Sequence, residues 1–222
     1  MAARRRPPLI LLPPSEAKYV PRRGNPLDLS TLSFPSLTSL REALLDDDLR
    51  KAPTTTAGRL YTGVLYAALD IATLPPAAAR NLVIVSAQFG ALRVTDRVPA
   101  YECEMSAAHW RSGLREPLDE VTRDRVIVDC RSATYVTAWR PPPQSAGRAV
   151  HVSVVEERDG VRRVVSHMAK KTRGEVARHL LVSGVRPRTP ADVAAAVSEQ
   201  FACELAPPGK TGGVHELTVV QR

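Results

Sequence analysis

Leu82-Val83-Ile84-Val85-Ser86 is the stretch that most directly indicates the fold of this 222-residue chain. Its unbroken apolar run is typical of a strand covered on both faces, as in parallel sheets flanked by helices. Residues 9–12 form a similar apolar run, and residues 126–130 are apolar except for Asp129. The sequence therefore predicts buried strands at all three places.

Beyond these strands, residues 150–156 and 161–167 flank Arg158-Asp159-Gly160, and Asp-Gly is typical of a tight hairpin turn. A helix is predicted from about residue 170 to 182. Strands alternating with helices, plus this late hairpin, predict a mixed α/β (α+β) fold with a central mixed β-sheet wrapped by helices. The length fits a single domain over residues 1–222.

Three other segments are assigned to helices or to the sheet. Leucines at helical spacing predict a helix within residues 36–49, and a second helix is predicted from about residue 60 to 74, ending at Pro75-Pro76. Residues 133–139 are a candidate extension of the sheet. The two helices would cover the sheet, and residues 133–139 would add to it.

The charge balance favours an anionic partner. The chain has 31 Lys and Arg against 23 Asp and Glu, a formal net charge of +8. Such a balance is typical of proteins that bind anions, but it says nothing about the fold. Aromatic residues make up only 5% of the chain, so few side chains could stack on bases.

Cysteine usage indicates the compartment. Cys103, Cys130 and Cys203 are odd in number, widely spaced and without a Cys-x-x-Cys motif, which favours a reducing compartment. The histidines lack metal-ligand spacing, so neither a metal site nor a cofactor is expected. The apolar run at residues 9–12 stops at Pro13-Pro14, too short for a signal peptide or a membrane span. A cytoplasmic protein with no membrane partner is expected.

Positive charge is concentrated between residues 158 and 188. This basic window holds nine basic residues and two acids, a net charge of +7. The basic residues are Arg158, Arg162, Arg163, Lys170, Lys171, Arg173, Arg178, Arg186 and Arg188. Phosphate is the commonest anion that binds such a cluster, and N–H groups at a helix start would help to hold it. The alternative is a helix with solvated lysines.

The basic hairpin and helix continue into a second motif, so that residues 158–200 form one basic segment. Within it, residues 181–197 resemble a helix-hairpin-helix, with Arg186 and Arg188 in the hairpin. In that motif the backbone amides of the hairpin hold a DNA phosphate without reading bases. Ordinary packing of two helices across a turn would give the same pattern.

Two carboxylates have an open role. In a strand over residues 101–105, Glu102 and Glu104 would share one face. They could act as a general acid and base, or Glu104 could form an ion pair with Lys170 or Lys171. Two other motifs are rejected. Gly209-Lys210-Thr211 lacks the preceding glycine of a phosphate-binding loop, and Ser86 lacks the small neighbours of a nucleophile elbow.

Five ordered motifs carry a family resemblance. They are LLPPSEAK (residues 11–18), LYTG (60–63), SAQFGALRVTD (86–96), YECEM (101–105) and AKKTRG (169–174). In this order they resemble the YaaA peroxide-stress protein family. Ser132 and Tyr135 fall where that family has a Ser…Tyr pair, whereas Glu102 stands where it has Arg.

The resemblance implies a "cantaloupe"-type mixed α/β fold with a positively charged cleft and a helix-hairpin-helix element. It also implies binding of double-stranded DNA and an oxidative stress response that protects against peroxide. With the hairpin arginines, the candidate ligand- or DNA-binding residues are Lys18, Tyr61, Thr62, Arg93, Tyr101, Ser132, Tyr135, Lys170, Lys171, Arg173, Arg186 and Arg188.

Two functions remain open at this point. One is non-specific DNA binding in a basic cleft. The other is an enzyme acting on a nucleotide, a nucleobase or another small anionic metabolite, with Glu104, Lys170 and Lys171 as catalytic candidates. The partner is accordingly double-stranded DNA or a phosphate-bearing small molecule. The oligomeric state is not determined by the sequence.

Overall fold

The computed structural model describes residues 6–164, 166–208 and 213–221, without the side chains of residues 164, 166 and 167. Within these ranges the strands are β1 Leu9–Leu12, β2 Thr54–Thr56, β3 Leu82–Ser86, β4 Gly90–Leu92, β5 Arg97–Pro99, β6 Ile127–Asp129, β7 Ala149–Arg158, β8 Val161–Val164, β9 Cys203–Ala206 and β10 His215–Gln221.

The helices in the same ranges are mostly one or two turns long. They are α1 Thr38–Glu42, α2 Asp47–Lys51, α3 Ala57–Leu60, α4 Val64–Leu69, α5 Pro76–Ala79, α6 Ala107–Trp110, α7 Arg115–Thr122, α8 Ala133–Val136, α9 Pro143–Ala146, α10 Ser166–Val182 and α11 Pro190–Ser198. Short 3-10 turns occupy Leu29–Thr31, Pro35–Leu37 and Ile71–Thr73.

The main sheet has the strand order β4-β3-β1-β6-β7-β10-β9, and β8 pairs with β7. The inner strands β3, β1, β6, β7 and β10 are parallel, whereas β4, β8 and β9 pair in antiparallel fashion. A second, two-stranded sheet joins β2 to β5. This central mixed sheet with helices around it confirms the predicted fold class.

The central strands bury both of their faces. Ile10 and Ile84 point into one core, beneath α4 and α10, while Leu11 and Val83 point into a second core with Trp110. Each strand therefore contributes side chains to two hydrophobic cores. A strand buried on both faces needs apolar residues at successive positions. The predictions of buried strands at β1, β3 and β6 are confirmed.

The predicted Asp-Gly hairpin is also confirmed. β7 and β8 pair on either side of Asp159 and Gly160, whose φ angles are 52° and 74°. A two-residue hairpin turn with both φ angles positive matches the twist of the flanking strands. The long helix α10 begins soon after this hairpin, at Ser166, four residues before the predicted start.

The helix predicted over residues 60–74 is interrupted twice. Gly63 has an extended backbone and separates α3 from α4, and Asp70 ends α4 with a left-handed φ of 47°. The helix predicted within residues 36–49 is similarly divided into a 3-10 turn, α1 and α2, and Leu44 and Leu45 lie between α1 and α2. The Asp46 side chain begins α2 by accepting a hydrogen bond from Leu49 N at 2.7 Å. Backbone breaks at Gly63 and Asp70, and the Asp46 cap of α2, thus divide the longer predicted helices.

The prediction that residues 133–139 extend the sheet is wrong, because this segment begins with α8. The buried Arg131 explains the compact turn. Its guanidinium donates to the carbonyl oxygens of Tyr135 at 3.1 Å and Trp139 at 2.9 Å. An extended strand would carry those two carbonyls too far apart for one side chain to reach both.

Residues 101–105 are irregular rather than a strand. Tyr101 is buried, but Glu102, Cys103 and Glu104 are all exposed, so exposure does not alternate. The strand-face pairing predicted for Glu102 and Glu104 is therefore wrong. Among the described residues, no helix is both long enough and apolar enough to cross a membrane.

Candidate functional site

The carboxyl ends of β1, β3 and β6 lie side by side, because these strands are parallel neighbours. In open α/β sheets, ligands bind in the crevice beyond this edge. Several residues from distant motifs of the sequence meet here. We call this place the carboxyl-edge site and define it by Lys18, Tyr61, Ser86, Tyr101 and Tyr135.

A buried hydroxyl network forms the floor of the site. The Tyr101 hydroxyl lies 2.8 Å from Ser86 Oγ and 2.9 Å from the Tyr61 hydroxyl. Ser86 Oγ also accepts a hydrogen bond from the backbone N–H of Phe89. All three hydroxyl-bearing residues are at most 6% exposed. The network therefore ties the loop containing Tyr101 to the end of β3.

Both tyrosines of this network are held in the neutral form. Burial raises the pKa of Tyr61 to about 12 and the pKa of Tyr101 well above its ordinary value. Neutral phenols can donate as well as accept hydrogen bonds. The network can accordingly present a proton-donating hydroxyl to a ligand.

Lys18 lies over this floor. Its backbone forms an isolated antiparallel bridge with Tyr61, and its Nζ is 4.6 Å from the centre of the Tyr101 ring. Burial lowers the pKa of Lys18, while Glu102 and Glu16 oppose this shift. A partly desolvated ammonium on an aromatic face is well placed to bind an anion or to exchange a proton.

The segment after β6 contributes Ser132 and Tyr135. Ser132 is half-buried at the start of α8, and Tyr135 is half-buried on the helix. The pKa of Tyr135 is raised by burial, with smaller contributions from Cys103 and Glu16. The predicted Ser…Tyr pair thus lies at the carboxyl edge of the sheet, near the exposed loops that carry Glu16 and Cys103.

Lys170 reaches the site from α10. Its Nζ lies 3.4 Å from Glu16 Oε1, and both side chains are more than half exposed. Thr62 is exposed beside the same loop, where its backbone N–H donates to the Ala17 carbonyl oxygen at 3.2 Å. Lys170 and Thr62 are therefore brought to the rim of the carboxyl-edge site.

The remaining polar side chains of the AKKTRG motif are bound by partners within the protein. Lys171 pairs with Glu175 at 3.5 Å on the exposed side of α10. Thr172 is buried and hydrogen-bonded to Gln221, and Arg173 donates from Nε to the Val152 carbonyl oxygen at 2.8 Å. Arg173 is thus attached to β7.

The glycine of this motif permits close helix packing. A Cβ atom on Gly174 would collide with the Leu65 carbonyl oxygen of α4 and would crowd the Ala68 side chain. Glycine is the residue that lets two backbones approach this closely.

Glu104 does not form the ion pair predicted for it. Lys170 pairs with Glu16 and Lys171 pairs with Glu175, because these acids are nearer on the loop after β1 and on α10 itself. The Glu104 carbonyl oxygen instead accepts a contact from the Cys103 thiol at 3.3 Å. Desolvation raises the pKa of Cys103, which keeps the thiol protonated.

Arg93 lies at the amino-terminal end of β3, opposite to the carboxyl-edge site. Its guanidinium donates to the carbonyl oxygens of Arg80 at 3.0 Å and of Leu82, the first residue of β3, at 3.4 Å. It also packs over the Phe34 ring. The antiparallel direction of β4 causes this placement, since β4 carries its last residues back to the amino end of β3. The structure therefore does not bring Arg93 to the carboxyl-edge site.

The basic window is partly neutralised by acids from outside it. Arg158 pairs with Glu156, Arg162 with Glu157 and Glu204, Lys170 with Glu16, and Arg178 with Asp70. The window's net charge in sequence therefore overstates the local charge in space.

The hairpin of residues 183–188 carries the two remaining candidate DNA-binding residues. Arg186 and Arg188 are exposed beside a depression of about 540 Å³, and Gly184 has a φ of 70°. Thr189 caps the next helix, α11, in a capping box with Asp192. The Asp192 carboxylate accepts hydrogen bonds from the backbone N–H groups of Arg188 at 2.7 Å and Thr189 at 3.2 Å. These two donors are thus already used.

Sequence reasoning missed Glu16 and Cys103 as neighbours of Lys18, and it missed Ser86 as a member of the hydroxyl network. The signal for Glu16 was present, because a polar residue shortly after a buried parallel strand falls at the ligand-binding edge. In the described ranges, no cluster of three or more His, Cys, Asp or Glu side chains could hold a metal ion. The rejected motif at residues 209–211 lies outside the described residues.

Fold and candidate site together define an α/β protein with an open, largely parallel sheet and a lysine- and hydroxyl-bearing carboxyl edge. A sequence profile of the family described as "Peroxide stress protein YaaA" matches residues 28–206. The chain belongs to this family, as the ordered motifs predicted.

Similar proteins agree with this assignment. A UPF0246 protein of Streptomyces coelicolor is 37% identical, with 96% of this chain and 98% of the relative covered. A UPF0246 protein of Corynebacterium efficiens is 36% identical over 84% of this chain and 90% of its own. A more distant UPF0246 protein, from Ruegeria pomeroyi, is 30% identical over 69% and 65%, respectively.

Proposed function

We propose that this protein binds duplex DNA without sequence specificity as part of protection against peroxide damage. The observation that carries the proposal is the exposed hairpin of residues 183–188, which presents Arg186 and Arg188 beside an open depression. The His179 ring nitrogen Nε2 lies 2.8 Å from the Ala196 carbonyl oxygen and joins the two helices that flank the hairpin. The turn that carries the two arginines is therefore held in place by this hydrogen bond between its flanking helices.

In this proposal the guanidinium groups hold the phosphates. The N–H groups ahead of α11 already donate to Asp192, so they are not available as in an ordinary helix-hairpin-helix contact. Arginine can hold a phosphate through two parallel hydrogen bonds. Contacts of this kind position a protein on DNA without reading its bases.

The ion pairs of the basic window do not prevent such binding. The pair between Lys171 and Glu175 is exposed, with 52% and 36% of the two side chains accessible. Exposed pairs of this kind contribute about 0–1 kcal/mol. Release of condensed counterions from a duplex can outweigh this small cost, so Lys171 can exchange its carboxylate for a phosphate.

The salt dependence of binding to a duplex tests this proposal. If Lys171, Arg186 and Arg188 each contact one phosphate, raising the salt from about 50 to about 200 mM should weaken affinity about 40-fold. Fluorescence anisotropy with unrelated duplexes of equal length measures both the salt slope and the lack of sequence preference. A salt-independent affinity, or none, would contradict the proposal.

A matched pair of variants separates the hairpin from net charge. Arg186→Gln with Arg188→Gln should reduce affinity and flatten the salt slope. Arg22→Gln with Arg23→Gln removes the same charge from an exposed loop and should have a much smaller effect. Equal losses would show that the hairpin has no special role. The link to peroxide is tested by survival in hydrogen peroxide of a strain carrying each variant as its only copy.

A second candidate is an enzyme that acts on a nucleotide or another small anionic molecule at the carboxyl-edge site. The observation that favours it is Lys18 Nζ over the Tyr101 ring, above hydroxyls too deeply buried for a duplex surface to reach. Burial lowers the pKa of Lys18, which favours its use as a general base or nucleophile. Lys18 is better placed for this role than Lys170 or Lys171, whose ammonium groups are more than half exposed.

Binding of adenosine monophosphate tests this candidate. Titration followed by protein NMR should show shifts around residues 15–18 and 101–104, and Lys18→Gln should remove them. Lys51→Gln, an exposed lysine paired with Asp47, is the matched control and should leave them unchanged. Shifts confined to the hairpin of residues 183–188 would favour phosphate binding there and contradict the second candidate.

A further inference from the structure

A cavity of about 790 Å³ lies on the face of the sheet opposite α10. Its polar floor is a row across three adjacent parallel strands, in which Asp129 pairs in register with His151 and His151 with Glu216. Apolar side chains of two short helices, including Ala133, Val136 and Ala146, line it as well. We call this the second-face cavity. A largely apolar cleft with a few convergent polar groups is typical of small-molecule sites.

Asp129 is already compensated within the protein. Arg131 donates to both of its carboxylate oxygens, from Nε at 2.8 Å and from Nη2 at 2.7 Å. Both side chains are almost completely buried. The carboxylate of Asp129 is therefore not available to a ligand, and Glu216 is the acid that remains.

Protonated His151 is a hydrogen-bonded cationic partner of Glu216 within the protein. The imidazole Nδ1 lies 3.3 Å from Glu216 Oε2, and Nε2 lies 3.1 Å from the Arg131 carbonyl oxygen. Both partners are acceptors, so both ring nitrogens carry protons in the arrangement that satisfies them. The pKa of His151 is raised, because Glu216 and Asp129 outweigh the desolvation of the ring. When His151 loses its second proton, the Glu216 carboxylate loses a cationic partner.

We propose that the second-face cavity binds a small, largely apolar molecule carrying one cationic nitrogen, and that this nitrogen becomes the partner of Glu216. The side chain of Glu216 is 42% exposed, so its oxygens can accept hydrogen bonds from a ligand. The molecule's apolar body packs against Ala133 and Val136. At the rim the cavity is lined by the exposed Arg140, which suits an acceptor at the outer end of the molecule.

This mechanism makes binding dependent on pH. The charged groups around His151 are Asp129 on β6, Arg131 after β6 and Glu216 on β10. Arg173 on α10 also acts on Glu216, and Arg140 lines the rim. Protonated His151 competes with the cationic nitrogen for the Glu216 carboxylate. Affinity should therefore rise as the pH rises through the pKa of His151.

Three probes of equal shape test the proposal: benzamidine, benzamide and benzoate, which are cationic, neutral and anionic. Binding is followed by protein NMR at about pH 5.5 and about pH 9, on either side of an ordinary to raised histidine pKa. Benzamidine should bind best, and about tenfold more tightly at the higher pH, the scale expected for one charge-assisted hydrogen bond. Preferred binding of benzoate, or no binding of any probe, would overturn the proposal.

Variants locate the effect. Glu216→Gln should reduce benzamidine affinity about tenfold and remove the pH dependence. Glu199→Gln is the matched control, because Glu199 pairs with His179 at 3.6 Å outside the cavity. Ala133→Trp, at an exposed position on the cavity wall, should block binding while a thermal melt shows that the fold is kept. Benzamidine binding that survives Glu216→Gln and Ala133→Trp would show adventitious binding elsewhere and overturn the proposal.

Discussion

The ammonium nitrogen of Lys18 lies 4.6 Å from the centre of the Tyr101 ring, and the hydroxyl of that same ring forms a hydrogen bond with Ser86 at the end of β3. One aromatic side chain thus connects a lysine near the surface with the buried edge of the sheet. The face of the ring holds a cation while its hydroxyl is fixed by the core. The carboxyl-edge site is therefore supported by the fold as well as placed by it.

Replacing Tyr101 by Phe should cost about 1–3 kcal/mol in the free energy of unfolding, measured by urea denaturation. The ring remains beneath Lys18, but the buried hydroxyls of Ser86 and Tyr61 each lose a partner. Tyr19→Phe changes a ring that is 38% exposed and is the control, with an expected change within about 0.5 kcal/mol. Equal effects of the two substitutions would show that the network contributes little.

Gly174→Ala should be severely destabilising, by about 3 kcal/mol or more, since the new methyl group would overlap the backbone of α4. Gly147→Ala is the matched control, because a Cβ there meets no atom within 4 Å among those described. Thermal unfolding of the two variants measures the difference. A Gly174→Ala protein as stable as its control would contradict the close approach of α10 and α4.

Asp129→Asn should cost about 3–5 kcal/mol, because it leaves the Arg131 guanidinium buried without its carboxylate. Replacing both residues together, with Asp129→Leu and Arg131→Met, should cost less than the sum of the single changes. Chemical denaturation of the three variants gives the coupling energy. Additive effects would mean that the two side chains do not act as a pair.

The His151 and Glu216 pair should make stability depend on pH in two directions. The folded pKa of His151 is raised above 6.5. Its contribution to the free energy of unfolding is therefore complete below pH 6.5 and is lost as the pH rises through the folded pKa. The folded pKa of Glu216 is lowered below 4.5, so its contribution is present above 4.5 and is lost as the pH falls through the folded value.

The contribution of the pair should accordingly be largest between pH 4.5 and 6.5. Partial exposure of both side chains limits it to about 1 kcal/mol. Urea denaturation across this range, for the natural chain and for His151→Asn, measures it as the difference between two curves. A difference that stays constant with pH would contradict the coupling.

The sequence by itself determined the parts of this protein that depend on neighbouring residues. Unbroken apolar runs specify β1 and β3 because these strands are buried on both faces. Asp159-Gly160 specifies the hairpin because both residues tolerate a positive φ. Thr189 specifies the start of α11 by capping its first turn. The ordered motifs were also enough to predict the family that the comparisons confirmed.

Only the tertiary structure decided which charges and hydroxyls meet. Arg93 and Lys18 both lie in motifs of the family. Because β4 runs antiparallel to β3, however, Arg93 lies at the amino-terminal end of β3, away from Lys18. Lys170 is paired by Glu16, which lies 154 positions earlier in the chain. The physical reason is that capping, turn formation and burial depend on residues close together in sequence. Ion pairs and buried networks depend on distances set by the whole fold.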